Sequence, residues 1–359
     1  MKPAFRFLLC VCALAPLVAS AGEMSREATL SRFFVPTPST EAMDRIAALF
    51  EVTRREDGGF EIIVPERRLA DLRALAPNAR LLEQDIHERL ARLTARELAG
   101  YHDFASVESH LKRIAAQYPQ IAQVFQYGKS KEGRPLWGLK LSDQVHLDEA
   151  EPEVMLTSAT HGDELITVEV VFGLLDAIVA GYGKDSRLTT LVDRLEIFWA
   201  PVVNPDGYTR KSRYANGIDP NRDYPWPGNP GKQSNECIKG VIDFFHQHEI
   251  RGSIDFHSSG GMVMFPWSYT HDPVESVDQT NFAELTRRMA ATNGYRHGQI
   301  PHLLYIAKGA SADYYHWKNR SVAIAVEIGD SNVPAAASIP KYVRQNAEAT
   351  WIFLESFAR

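Results

Sequence analysis

EVMLTSATHGDELITVEVVFGLLDAIVA, residues 153–180, contains the change of pattern that decides the fold. The apolar run EVMLTSA predicts a buried strand, and ITVEVVFGLLDAIVA has the length and composition of a buried helix. The turn between them carries His161 and Glu164, three residues apart, directly after the predicted strand. Because open α/β sheets bind ligands at the carboxyl ends of their strands, this turn is a candidate site.

Further apolar runs continue the same alternation along the chain. Buried strands are predicted from the runs LEIFWAPVV, GSIDFHS and VAIAVEIG. Helical patterns occur in NECIKGVIDFFHQHE, in FAELTRRMAATNG and in the final KYVRQNAEATWIFLESFAR. This alternation predicts an α/β fold, with a mixed, largely parallel sheet that carries helices on both faces.

Residues 22–86 have a different pattern, which predicts a small separate domain. Two helical segments, STEAMDRIAAL and RRLADLRALAP, alternate with four strands in the order β-α-β-β-α-β, which is typical of a ferredoxin-like α+β unit. Residues 87–100 have apolar positions at helical spacing and predict a connecting helix. The larger domain then occupies residues 101–359.

Residues 1–21 have the composition of a signal peptide. Lys2 and Arg6 precede an apolar segment at residues 7–18, and residues 19–21, Ala-Ser-Ala, offer a cleavage site of small residues. A buried N-terminal helix is the alternative. We expect export to the periplasm or the extracellular medium.

The composition excludes several classes of partner. The 359 residues are 45% apolar and 23% charged, as in ordinary globular proteins, and the net charge is −6. The chain has no basic patch typical of nucleic-acid binding, and its N-terminal apolar run is too short to span a membrane. We therefore expect neither a nucleic-acid partner nor a membrane anchor. Once the signal is removed, Cys237 is the single remaining cysteine, which excludes an internal disulfide.

The His-x-x-Glu spacing occurs twice, and position separates the two pairs. His246 and Glu249 lie at the end of a predicted helix, where such residues are common on the surface. His161 and Glu164 instead follow a strand, and His257, in GSIDFHSSGG, lies at the end of another strand. A histidine at a strand end can also be an ordinary core residue. Two histidines and a glutamate would leave one position on a zinc ion for water, which is the pattern of a catalytic site.

Several motifs together resemble the zinc metallocarboxypeptidases of the A/B type, the M14 family, over nearly all of residues 101–359. SATHGDELIT resembles the family's zinc motif, and DFHSSGGMVMFPWSY resembles the segment that carries its third ligand. PVVNPDGY, NGIDPNRDYP, LYIAKGASADYYHW and SVAIAVEIGD resemble further family segments. The resemblance implies a carboxypeptidase-like fold, one Zn²⁺ on His161, Glu164 and His257, and an N-terminal activation segment.

The resemblance also implies roles for residues outside the metal site. Asn221 and Arg222 would bind the terminal carboxylate of the substrate, which makes the enzyme an exopeptidase, and Tyr305 would close over the bound end. Glu327 would take a proton from water and pass it to the leaving amine.

Two positions depart from the family pattern. Ser212 occupies the expected position of the arginine that stabilises the oxyanion, with Arg213 beside it and Arg210 nearby. The resemblance favours Arg213 for this role. Animal digestive members have an arginine inside the zinc motif, where this chain has Asp163, so the outer substrate contacts differ.

The specificity pocket implied by the resemblance is uncharged. Its residues are Met264, Ser268, Ile300, Ala307, Ala312 and Ala325. Family members that act on C-terminal Lys or Arg place an acid where this chain has Ala312, and the neighbouring Asp313 falls outside that position. An uncharged pocket favours large apolar or aromatic C-terminal residues, since burying each is worth about 1.5–3 kcal/mol.

The sequence therefore predicts a monomeric zinc exopeptidase that acts on the C-termini of peptides or proteins. One alternative is a peptidoglycan-directed zinc amidase or carboxypeptidase of the same fold, which would need a polar or basic pocket. A second alternative is an inactive binding protein on this fold. Loss of Glu327 or of a zinc ligand would support that alternative, and all four residues are present.

Overall fold

The computed structural model describes residues 29–358, apart from residues 37–38, 57, 87 and 89–91. The predicted signal peptide lies outside the described residues. The described chain contains a four-stranded sheet and an eight-stranded sheet.

The N-terminal unit is an antiparallel sheet with two helices. Its strands pair in the order β2-β3-β1-β4, and β1–β4 are Leu30–Pro36, Glu51–Glu56, Gly59–Pro65 and Arg80–Glu83. Helices α1 and α2 are Thr40–Ala47 and Leu69–Leu75. The side chains of Phe33, Phe60, Ile62 and Leu72 are buried with Met43 of α1 in the core of the unit. The elements follow one another in the β-α-β-β-α-β order of the predicted ferredoxin-like unit.

The segment after β4 begins as a helix, because Ile86 and Glu88 are helical and Arg92 N donates to the Glu88 carbonyl at 3.0 Å. Residues 92–100 form turns and bends, while residues 87 and 89–91 lie outside the described part of the chain. Thr94 donates from both its backbone N and its Oγ1 to the carboxylate of Glu97. Glu97 N donates in return to Thr94 Oγ1 at 3.3 Å, so the two residues form a capping box that begins the turns after residue 94.

The large sheet has a parallel centre. Its strands lie in the order β11-β10-β12-β9-β7-β8-β6-β5. From β5 to β12 they are Ala122–Lys129, Pro135–Leu141, Glu153–Ser158, Glu196–Ala200, Ile250–His257, Met262–Phe265, Arg296–Gln299 and Val322–Glu327. Strands β12, β9, β7 and β8 run parallel, whereas β6 and β10 run antiparallel to them. This confirms the predicted mixed, largely parallel sheet.

Helices cover both faces of this sheet. From α3 to α11 they are Phe104–Gln117, Leu165–Gly181, Ser186–Val192, Pro205–Arg210, Glu236–Gln247, Ser276–Asn293, Ile300–Leu303, Ser311–Asn319 and Ile339–Glu355. Alternate residues of β7 point to the two helical layers. Val154 and Leu156 are buried with helices α3, α4, α8 and α11 on one face of the sheet. Met155 is buried with helices α7 and α10 on the other face. None of the described helices is long and apolar enough to cross a membrane alone, although the bent pair α4–α5 reaches that length and composition together.

The carboxyl ends of β7, β9 and β12 meet at one edge of the sheet. His161 follows β7 by three residues, His257 ends β9 and Glu327 ends β12. In the strand register, Glu327 is paired with His257. The buried helix α4 begins directly after Glu164. The topology therefore gathers residues from three distant parts of the sequence around one point.

Candidate active site

The three predicted metal ligands converge at this edge of the sheet. The Nδ1 atom of His161 lies 2.8 Å from Glu164 Oε1, and His257 Nδ1 lies 3.1 Å from both Glu164 Oε2 and His161 Nδ1. The three residues are at most 3% exposed. Ligand atoms at about 2.0–2.1 Å from a tetrahedral zinc ion are about 3.3 Å apart, so these separations fit a single ion.

Two further carboxylates fix the orientation of the imidazoles. Asp219 Oδ1 lies 3.0 Å from His161 Nε2, and Asp255 Oδ2 lies 3.0 Å from His257 Nε2. A carboxylate at Nε2 accepts the ring proton and leaves the lone pair of Nδ1 free for a metal. The donor set of two imidazoles and one carboxylate therefore fits zinc.

Asp255 is a buried carboxylate held by hydroxyl groups. It is 2% exposed and accepts hydrogen bonds from Thr157, Thr160 and Ser311. Burial opposes its ionisation, but the contacts with His257, Ser311 and Thr157 outweigh burial and lower the pKa of Asp255 below its ordinary value. Asp255 is therefore ionised beside the metal ligand that it orients.

Glu327 lines the same cavity as the three ligands. Its Oε2 atom is buried and has no hydrogen-bond partner among the described residues. Burial and the charge of Glu164 raise the pKa of Glu327 to about 8. Because a buried polar atom without a partner is costly, this carboxylate indicates a functional group rather than a packing residue.

Arg213, and not Arg210, faces the metal ligands. Arg213 is 8% exposed, its Nη1 lies 3.1 Å from His161 Nδ1, and its Nη2 donates to Asp219 Oδ2 at 3.0 Å. Arg210 pairs with Glu132 at the surface. Of the two arginines that the sequence left open, Arg213 is the one that the fold brings to the cavity.

Asn221, Arg222 and Tyr305 lie together beside the metal site. Arg222 Nη2 donates to the Tyr305 hydroxyl at 2.6 Å, and that hydroxyl donates to the backbone carbonyl of Val52. Asn221 Nδ2 lies 3.2 Å from His257 Nε2. The structure thus brings the two predicted carboxylate-binding residues together with Tyr305, and strand β2 of the N-terminal unit reaches them.

All six predicted pocket residues line the cavity, namely Met264, Ser268, Ile300, Ala307, Ala312 and Ala325. Asp313 lies behind them and accepts hydrogen bonds from Ser268 N at 2.6 Å, from Ser268 Oγ and from Tyr269 N at 3.0 Å. Burial raises the pKa of Asp313 to about 7. Its hydrogen bonds are therefore made to the wall of the pocket rather than to its interior.

The second His-x-x-Glu pair lies elsewhere. His246 Nε2 is 3.0 Å from the Tyr314 hydroxyl, and Glu249 pairs with Arg251 at the surface. Neither residue lines the cavity. Their positions agree with the interpretation of this pair as ordinary helix-end residues.

The sequence reasoning missed Asp219, Asp255 and Asn332. Asp255 did carry a signal, because it stands two residues before His257 and strand periodicity places both on one face of β9. Asn332 Nδ2 donates to Asp163 Oδ2 at 3.2 Å, which gives the unexplained aspartate of the zinc motif a partner. No local pattern marks that contact.

An α/β sheet whose strand ends join two histidines, a glutamate and a second buried carboxylate defines a zinc-dependent hydrolase. The family model described as zinc carboxypeptidase matches residues 107–349. The chain belongs to this family and is a metallocarboxypeptidase, a zinc-dependent exopeptidase that hydrolyses the C-terminal peptide bond.

Similar proteins come from bacteria and animals. Zinc carboxypeptidase of Saccharothrix mutabilis subsp. capreolus is 29% identical over an alignment of 368 positions. The alignment covers 85% of this chain and 83% of that protein. Carboxypeptidase A2 of Mus musculus is 27% identical, with 77% and 75% covered. The crystal structure of the carboxypeptidase A from Helicoverpa armigera has a TM-score of 0.76 at 18% identity, covering 93% of this chain and 98% of that chain. This last likeness concerns the fold.

Proposed function

We propose that this enzyme removes apolar or aromatic residues from the C-termini of peptides or proteins. The observation that carries this preference is the cavity wall, where all six pocket positions are uncharged. Ala312, at 2% exposure, stands where an acid would be needed to bind Lys or Arg. A pocket of this composition gains free energy from apolar side chains and offers no partner to a charged one.

The residues around the pocket support a division of roles. Bound Zn²⁺ supplies Lewis acidity that polarises a carbonyl oxygen and lowers the pKa of water. Glu327 accepts the proton of the attacking water and passes it to the leaving amine. Arg213 donates to the oxygen that becomes negative in the transition state.

Recognition of the chain end is assigned to Asn221, Arg222 and Tyr305. The planar guanidinium of Arg222 matches a carboxylate in bidentate fashion, and the amide of Asn221 adds a donor. The bond from Arg222 to the Tyr305 hydroxyl joins the two residues, which supports the proposal that Tyr305 closes over the bound end.

The N-terminal unit is proposed to be an activation segment that restrains this site. Val52 and Thr53 line the cavity, and the Val52 carbonyl accepts the Tyr305 hydroxyl. Asp44 Oδ2 also lies 2.7 Å from His271 Nε2. These contacts support a role in covering the substrate cavity until the chain is cut between residues 87 and 100.

We further propose that residues 1–21 direct export to the periplasm or the extracellular medium and that the enzyme acts as a monomer. The charged start, apolar centre and small residues at positions 19–21 support export.

Release of different C-terminal residues tests the preference. The full chain, before and after limited trypsin treatment, would receive matched peptides that end in Phe, Leu, Lys or diaminopimelate, with and without chelator. We expect Phe and Leu to be released at least about tenfold faster than Lys, after cleavage and only without chelator. Faster release of Lys would contradict the pocket, and preferential release of diaminopimelate would favour the peptidoglycan alternative. Equal rates before and after cleavage between the two domains would contradict the activation segment.

A further inference from the structure

Asn332 lies in the loop after β12 and contacts the segments that follow both other site strands. Its Nδ2 donates to Asp163 Oδ2 at 3.2 Å, and its Oδ1 accepts from Ser258 Oγ at 3.2 Å. Its backbone carbonyl accepts from Ile166 N at 3.1 Å, in the first turn of α4. One residue thus connects the loop that follows Glu327 with the loops after β7 and β9.

The loop that carries Asn332 is itself anchored. Gly329 has φ +58°, and a Cβ at this position would lie 2.4 Å from the ring of Tyr342, so only glycine fits. Gly329 N donates to the Tyr295 hydroxyl at 3.1 Å, and the Tyr342 hydroxyl donates to Asp330 Oδ1 at 2.7 Å. These contacts hold in place the loop from which the Asn332 side chain extends.

We propose that Asn332 is a positioning residue for the metal site and acts through Asp163. Asp163 stands between the first two metal ligands, so the bond from Asn332 determines where their turn lies. Ser258 follows the third ligand directly, and its backbone N donates to Glu164 Oε2 at 3.2 Å. The Asn332 amide thereby holds both parts of the ligand set in one arrangement. This inference rests on the zinc site of the proposed function.

The donor and the acceptor of the hydrogen bond between Asn332 and Asp163 can be exchanged without changing the number of heavy atoms or the net charge of the pair. Asn332→Asp alone replaces the amide donor with a second carboxylate that faces Asp163. Adding Asp163→Asn exchanges donor and acceptor and restores the hydrogen bond, and a carboxylate at position 332 still accepts from Ser258. The backbone bond to Ile166 N persists in every variant, so the comparison isolates the side chain.

Zinc affinity of the metal-free full-length protein tests this inference. The wild type, Asn332→Asp, the double exchange and Asn229→Asp would each compete for Zn²⁺ against a chelating dye at neutral pH. Asn229 is exposed and serves as the matched control for the charge change. Circular dichroism melting of the metal-free proteins reports stability separately, because a purely structural role would lower the melting temperature and leave affinity unchanged.

We expect Asn332→Asp to weaken zinc binding by about 10–100-fold, as observed for partners of metal ligands, and the double exchange to restore most of it. Asn229→Asp should bind as the wild type does. Equal affinity of Asn332→Asp and wild type, or a double exchange no tighter than Asn332→Asp, would overturn the inference. If Asn332→Asp does not fold, the double exchange decides alone. Failure of the wild type itself to bind Zn²⁺ would overturn the proposed function as well.

Discussion

Glu327 and His257 are paired residues in the parallel strands β12 and β9, and both are the last residues of their strands. Neighbouring strands lie about 4.8 Å apart, so the register alone sets a carboxylate next to a metal ligand. The same sheet also buries that carboxylate and raises its pKa to about 8. The geometry of the sheet, rather than any single loop, thus brings the proposed base and the metal site together.

Glu327→Gln should abolish most turnover while zinc stays bound. The amide keeps the shape of the side chain but cannot accept the proton, and a general base contributes about 10²–10⁴-fold to rate. Single-turnover hydrolysis and metal content by mass spectrometry would check this, with Glu236→Gln at the exposed start of α7 as the control. Turnover within threefold of wild type would reject Glu327 as the base.

Asp255→Asn should weaken zinc binding although it changes no ligand. A neutral amide holds the Nε2–H of His257 more weakly than a carboxylate and leaves the imidazole less basic, and loss of such a partner costs about 10–100-fold in affinity. Competition with a chelating dye would measure it. Asp243→Asn, at an exposed position of α7, provides the matched control. Unchanged affinity would show that Asp255 does not orient His257.

Ala312→Asp should shift the preference towards C-terminal Lys. The new carboxylate would project from the wall of the cavity and provide a charged partner that the wild-type pocket lacks. We expect the ratio of kcat/KM for Lys over Phe to rise by about tenfold or more. Ala312→Ser is the control for polarity without charge, and an unchanged ratio in Ala312→Asp would contradict the pocket assignment.

Asp313 should make stability fall as pH rises from about 4 to 7. Burial raises its folded-state pKa from the ordinary 3.8 to about 7, so in this range the folded protein binds the proton that the unfolded chain has lost. The free energy of unfolding of wild type relative to Asp313→Asn should therefore fall with pH, by up to about 4 kcal/mol. Urea unfolding at pH 4.5, 6 and 8 would measure the difference in the free energy of unfolding between wild type and Asp313→Asn. The contributions of all other titrating groups are common to both proteins and cancel in this difference. A difference independent of pH would refute the shift.

The strands that carry the site could be predicted because each is buried on both faces. β7 and β12 therefore appear in the sequence as largely apolar runs. In β9, the apolar residues Ile254 and Phe256 alternate with polar residues that are also buried. Strands β10 and β11 could not be recognised in this way, since each has four residues and Arg296–Gln299 is polar and partly exposed. Their pairing depends on neighbours far away in the sequence, which local pattern does not contain.

The metal ligands could be predicted for a related reason. His161 and Glu164 share one motif, and His257 ends a recognisable strand. Their supporting contacts join residues much further apart: His161 and Asp219 are separated by 58 positions, and Asp163 and Asn332 by 169. Only the folded chain determines such pairs, which is why the role of Asp163 could not be derived from its motif.

The acceptor that holds Tyr305 belongs to the main chain of Val52, not to its side chain. Every amino acid, proline included, has that carbonyl, so no substitution at position 52 can delete the atom. Mutational drift at this position would therefore leave the restraint on Tyr305 largely intact. If the N-terminal unit is the proposed activation segment, relief would require that the whole strand be moved away or severed, and we expect the restraint to tolerate point mutation but not proteolysis.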